Sequence, residues 1–166
     1  MTPRTLLILG FVVWLQSCGI YSFSGVNIPA DIKTYTVLPF SNTAALVVPG
    51  FAEEFRLALT DKIQQMTDLE YTDREADLVY NGTVTGYEVR PAAATADQTA
   101  AMNRLTVQVK IDFTDNKHPE NNFSRTYSYY YDFDANKLLS DVQAEAHRII
   151  IEQITQEIFN DSLAKW

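Results

Sequence analysis

Two stretches of strict alternation constrain the fold of this chain more than any other feature. Leu105, Val107, Val109, Ile111 and Phe113 alternate with Arg104, Thr106, Gln108, Lys110 and Asp112. A pleated strand sends such neighbours to opposite faces, so this run has one dry face and one wet face. After the turn-rich segment 115–122, Phe123, Tyr127, Tyr129, Tyr131 and Phe133 alternate with Ser124, Thr126, Ser128, Tyr130 and Asp132. Two amphipathic strands across such a loop predict an antiparallel hairpin.

A sheet with one dry face needs a cover, and the chain carries two helical patterns able to supply it. After Pro49, Phe51, Phe55, Leu59 and Ile63 recur every fourth position, with Ala58 and Met66 beside them and Glu53, Glu54, Arg56, Asp61 and Lys62 on the other side. Proline and acids near the start suit a helix N-terminus. A longer pattern runs from about Leu138 to Ala164, with Ser140 or Asp141 as its cap and Val142, Ala146, Ile149, Ile150, Ile154, Ile158 and Phe159 as its apolar stripe. Further strands are predicted at Lys33–Phe40, with Pro39 near its end, at Leu69–Tyr71, and from Ala76 through Tyr80, Gly82, Val84, Tyr87 and Val89. The inward set of that last strand changes face around Gly86, which predicts a bulge. Residues 91–101 contain no bulky apolar side chain and read as a loop. The expected architecture is α+β: a two-layer sandwich with two helices packed on a mainly antiparallel or mixed four-stranded sheet, forming one domain over residues 32–166.

Residues 1–17 have a different character. Arg4 precedes roughly ten apolar residues and Ser17 closes the run, the pattern of a secretory leader. A membrane-spanning helix needs about 20 apolar residues. Cys18, the only cysteine, follows at once, so no intramolecular disulfide or paired-cysteine metal site can form. Leu15-Gln16-Ser17-Cys18-Gly19 resembles the lipobox of bacterial lipoproteins, although Gln16 departs from the usual small or β-branched residue before the serine. That resemblance implies cleavage ahead of Cys18 and covalent lipid on it. Several acyl chains anchor stably where one does not. Residues 18–31 then form a lipidated tether in which Ile20, Tyr21, Phe23, Val26 and Ile28 are apolar enough to dock.

The net charge of −8 argues against nucleic acid, whose binding rests on Lys and Arg at the phosphates. It also leaves membrane attachment to the lipid. Catalysis is not expected, because the residue inventory does not assemble a nucleophile, a base or a metal shell. His118 stands alone in the turn-rich loop, and His147, beside Asp141 and Glu145, reads as part of a solvated helical face. Glu53-Glu54 reads as a helix-start pair and Asp132/Asp134 as a strand-end pair. No cofactor is expected beyond the lipid. Arg90, Arg104, Lys110, Lys117 and Arg125 are candidates for ligand or partner contact, read either as one local positive patch or as scattered solvated charges. Tyr130 is a further candidate, since it points opposite to Tyr129 and Tyr131. An aromatic on the outer face is either ordinary strand chemistry with a wet hydroxyl or an interface residue.

With CGIYSFSG, IPADIKTYTVLPFSN, ADLVYNGTVTGYEV, NRLTVQVKIDFTDNK and the terminal IFNDSLAKW all placed, the chain is similar to the LptE family of lipopolysaccharide-assembly lipoproteins. Some of these pieces also occur in envelope modules resembling TolB or CsgG amino-terminal domains. An adaptor lipoprotein of another envelope export or assembly complex is therefore the alternative. The LptE resemblance implies a non-enzymatic sandwich tethered to the outer membrane and facing the periplasm. It further implies a seat inside the lumen of the β-barrel LptD as plug and assembly partner, and contact with lipopolysaccharide during its insertion. Of the family's motif residues, only Cys18 is matched here.

Overall fold

The computed structural model describes residues 28–92 and 101–164. In chain order its elements are β1 (Thr34–Val37), β2 (Ser41–Asn42), α1 (Phe51–Met66), β3 (Glu70–Tyr71), β4 (Leu78–Pro91), β5 (Met102–Asp115), a single 3-10 turn (Pro119–Asn121), β6 (Phe123–Asp134) and α2 (Leu139–Leu163). The sheet has the order β3-β1-β4-β5-β6, with β2 also on β4. β1 runs parallel to β3 and β4, β2 runs parallel to β4, and β4-β5-β6 form an antiparallel meander. The α+β two-layer class holds; among the described residues the sheet has six strands, the expected four being joined by the short strand read at Leu69–Tyr71, which is β3, and by β2.

One addition comes from Pro39. The strand read over Lys33–Phe40 ends at Val37, ahead of Pro39, because proline has no N–H for the ladder, and Ser41–Asn42, where the sequence predicts a break, form β2. Leu38 N–H still donates to the Tyr80 carbonyl at 2.9 Å and Thr43 N–H to the Val84 carbonyl at 2.8 Å, so β1 and β2 share one edge of β4. Between them Phe40 lies where a side chain at position 82 would stand: a Cβ added to Gly82 would come within 2.3 Å of the ring. Phe40 also stacks on Phe55 of α1, with centroids 5.6 Å apart.

The hairpin follows the alternation. Leu105 pairs with Tyr131, Val107 with Tyr129 and Val109 with Tyr127. Leu105, Val107, Val109, Ile111 and Phe113 are all buried. The β4–β5 register slips between Val84 and Gly86, the site of the expected bulge. Beyond it Tyr87 is buried, but Val89 is exposed, so the dry face ends one step earlier than the sequence predicts.

Both helices cover the same face of the sheet. α1 starts after Gly50, whose φ of 84° lies in the left-handed region where a Cβ is penalised, and it buries Phe51, Phe55, Leu59 and Ile63. α2 runs in the same direction beside it: His147 meets Glu54, and farther along Gln156 meets Lys62. The start of α2 differs from the expected cap. The N-cap is Leu138, and its N–H donates to Asp141 Oδ2 at 3.2 Å, so Asp141 acts from the third helical position, as the acid of a capping box does. Ser140 only reaches Asp141, at 3.4 Å.

Candidate interaction surface

The face of the meander away from the helices is open among the described residues. It is lined by small and polar side chains, because every second position of β5 and β6 points outward. Arg104 makes several contacts on it. Its Nε and one terminal nitrogen donate to the two carboxylate oxygens of Asp132, both at 2.7 Å. Register places the two directly across from each other, which makes this fork-to-fork geometry possible. The same guanidinium lies 3.7 Å from the centroid of the Tyr130 ring, within cation–π range. Hydrogen bonding from Arg104 holds the Asp132 carboxyl below the usual carboxylate range, and the guanidinium is raised in turn. Tyr130 itself is 47% exposed, an aromatic on the outer face as the parity of the strand requires.

The other candidate cations are distributed along the molecule. Arg90, register partner of Arg104, pairs with Glu88 at 2.8 Å, and Lys110 pairs with Asp112 at 3.1 Å. Lys117, in the hairpin loop, lies 3.5 Å from Asp77. Arg125 binds Asp161 of α2, whose carboxylate also accepts the Tyr127 hydroxyl at 2.8 Å. Arg104 and Tyr130 are brought together. The remaining four each face a carboxylate of their own.

Both histidines correct the sequence reading. His147 is buried, not solvated: its Nε2 and the Tyr87 hydroxyl share a hydrogen bond of 2.9 Å, Nδ1 lies 3.3 Å from Glu54 Oε2, and the Phe51 ring packs 4.5 Å away. The signal was present, since 147, 150, 151, 154 and 158 follow helical spacing on one face. Burial pushes the imidazole below its ordinary range against the pull of Glu54, and pushes the Tyr87 phenol up to about 12. His118 is not alone: its Nε2 lies 3.1 Å from Asp31 Oδ2, and that hydrogen bond raises it.

Two acids outside the set of candidate residues organise the end of the molecule near Ile28. Asp77 accepts the backbone N–H groups of Lys33 and Thr34 at 2.8 and 3.0 Å, aligning β1 with β4. Asp115, buried, accepts the N–H groups of Lys117 and His118 at 2.9 and 2.8 Å and the Asn121 amide at 3.1 Å. An aspartate heading a turn-rich loop is the available signal for that role.

Among the described residues no group of three or more His, Cys, Asp or Glu is placed to hold a metal ion. No described helix is long and apolar enough to cross a membrane, which says nothing of β-barrels. Cys18 and most of the tether lie outside the described residues.

The fold is thus an α+β sandwich with one helix-covered face and one open polar face. The LptE lipopolysaccharide-assembly family model matches residues 32–162, so the chain belongs to that family. A search of curated proteins finds no match. Among solved structures, the chain is similar to the hypothetical protein CT253 from Chlamydia trachomatis, with a TM-score of 0.54, 9% identity, and coverage of 81% of this chain and 99% of that one. It is also similar to protein XCC0632 from Xanthomonas campestris, with a TM-score of 0.52, 12% identity, and coverage of 81% and 88%. At such identities these two show the fold alone.

Proposed function

We propose that this protein is an outer-membrane lipoprotein, held through lipid on Cys18 and facing the periplasm, that partners and plugs an LptD-like β-barrel in lipopolysaccharide transport. The observation that carries this reading is the family match over residues 32–162. The open sheet face supports it: a barrel lumen is polar, and a face of hydroxyls, amides and paired charges suits such a wall. Tyr130 and the Arg104–Asp132 pair are the contacts assigned to that partner.

Lipopolysaccharide is a secondary partner in this reading. Arg90, Arg104, Lys110, Lys117 and Arg125 each already hold a carboxylate, so capture of an anionic lipid group requires exchanging one anion for another. The role is one of assembly and binding, without catalysis and without a cofactor beyond the lipid. Depletion of the protein tests it. Newly made lipopolysaccharide is expected to accumulate short of the cell surface, while other lipoproteins still reach the outer membrane. Unchanged lipopolysaccharide at the surface would point to another envelope complex.

A further inference from the structure

Of the two edges of the sheet among the described residues, one is β3, only two residues long, and the other is β6, which runs for 12. A long free edge is a template for another strand, and proteins blunt such edges with short strands, lysine, proline or bulges. β6 has none of these. It holds no lysine, proline or glycine, and it pairs with β5 from Phe123 to Asp134 without a register shift. The same ladder decides which backbone groups face outward. Ala135 N–H donates to the Ala101 carbonyl at 3.0 Å, one step beyond the Met102–Asp134 pair. Antiparallel pairing alternates, so the odd-numbered residues of β6 bond to β5, while Ser124, Thr126, Ser128, Tyr130 and Asp132 turn their N–H and C=O groups to the open edge. No described strand or loop backbone bonds to them there. Asp134 is next in the series, but its carbonyl already accepts the Lys137 N–H at 3.0 Å.

We propose that this edge pairs with the same edge of a second copy of the chain, antiparallel about a two-fold axis at Ser128, so that two sheets become one. Three observations select that occupant. The outward-turned residues are symmetric about Ser128: Ser124 meets Asp132 and Thr126 meets Tyr130, each pair closing two backbone bonds. The side chains agree, since on the helix-covered face Arg125 meets Tyr131 and Tyr127 meets Tyr129, favourable cross-strand pairs, and no charge meets a like charge. Charge also fixes the place. In a chain of net charge −8, copies approach best where acid is neutralised, and along β6 Arg125 binds Asp161 while Asp132 binds Arg104. A closed barrel has no edge strand to offer, whereas a second copy brings an identical one, and self-matched two-fold contacts are the commonest in oligomers. The inference concerns the edge of the sheet and does not rest on the barrel partnership, which uses its face.

A photo-crosslinking residue at position 128, in cell membranes, tests the pairing against one at position 108, the exposed register partner on β5. Adducts joining two copies of this chain are expected at 128 and far fewer at 108. No self-adducts at 128, whatever else is captured, overturn the proposal, and so do equal yields at the two positions. Ser128→Pro gives a second readout with the purified full-length protein in detergent. The N–H it removes is one that β5 does not use, and proline is tolerated at such edge positions. Sedimentation is expected to find the native protein a dimer and self-association of the variant at least about tenfold weaker, with a hydrogen bond lost from each copy. A monomeric native protein, or a variant that dimerises as well as the native one, contradicts the proposal. The crosslinking comparison stands even where the proline variant does not fold. Retention of a barrel by the same protein is a separate measurement, so failure here leaves the barrel partnership untouched.

Discussion

The imidazole of His147 joins both helices to β4, and its titration couples stability to pH. Burial holds it below the ordinary histidine range, so the unfolded chain takes up this proton first as pH falls. The neutral form's contribution is therefore full above the unfolded value of about 6.5 and is lost as pH falls through the folded value, at up to about 1.4 kcal/mol per pH unit. His118 has the opposite sign: Asp31 raises it, so its contribution is present in acid and lost as pH rises through its folded value. Urea unfolding across pH 5 to 7.5 should therefore be compared with the same series for His147→Gln. The difference is expected to show the native protein losing stability toward acid and the variant losing less, and parallel curves would contradict this. Gly82 provides a steric test. Gly82→Ala places a methyl group on the Phe40 ring and is expected to cost about 1–3 kcal/mol, with much of the loss recovered in Gly82→Ala/Phe40→Leu. A variant as stable as the native chain would show that the ring moves freely.

At the level of elements, β6 is tied to α2 by Asp161, which serves both Arg125 and Tyr127. Asp161→Asn keeps the shape and removes the charge, and a loss of about 1–2 kcal/mol is expected in chemical denaturation. Asp115→Ala strips the hairpin loop of the acceptor for two backbone N–H groups. Its expected cost is about 2–3 kcal/mol, with faster amide exchange confined first to residues 116–122. The meander and the inner faces of both helices were legible because one-sided burial imposes periods of 2 and 3.6 on the residues themselves. Leu105–Phe113 and Phe51–Ile63 carry those periods cleanly. His147 reads as solvated from its polar residue type, whereas its position in the apolar stripe is what sets its burial. β2 is not legible in the sequence because two residues hold no period; only the pairing of Ser41 and Asn42 with Thr83 and Val84 defines it. The carboxylate partners of Arg104, Lys117 and Arg125 are equally illegible, since Arg104–Asp132, Lys117–Asp77 and Arg125–Asp161 join positions far apart in the chain.

For the whole molecule, the sandwich separates two tasks. The helix-covered face holds the fold, and the opposite face of the meander, open among the described residues, is where the proposed function puts the partner. Substitutions on the open face are therefore expected to spare stability and reduce association. Tyr130→Ala should cost no more than about 1 kcal/mol of unfolding free energy, the worth of its exposed cation–π contact with Arg104, yet weaken retention of the partner, as loss of an exposed aromatic anchor does. Cys18→Ala, in turn, should release the protein from the membrane without altering its unfolding. The measurement that bears most directly on the account is affinity purification of the detergent-extracted full-length protein, with identification of what it retains. Recovery of a large outer-membrane β-barrel, reduced by Tyr130→Ala, is the expected result, and recovery of only soluble periplasmic proteins would contradict it.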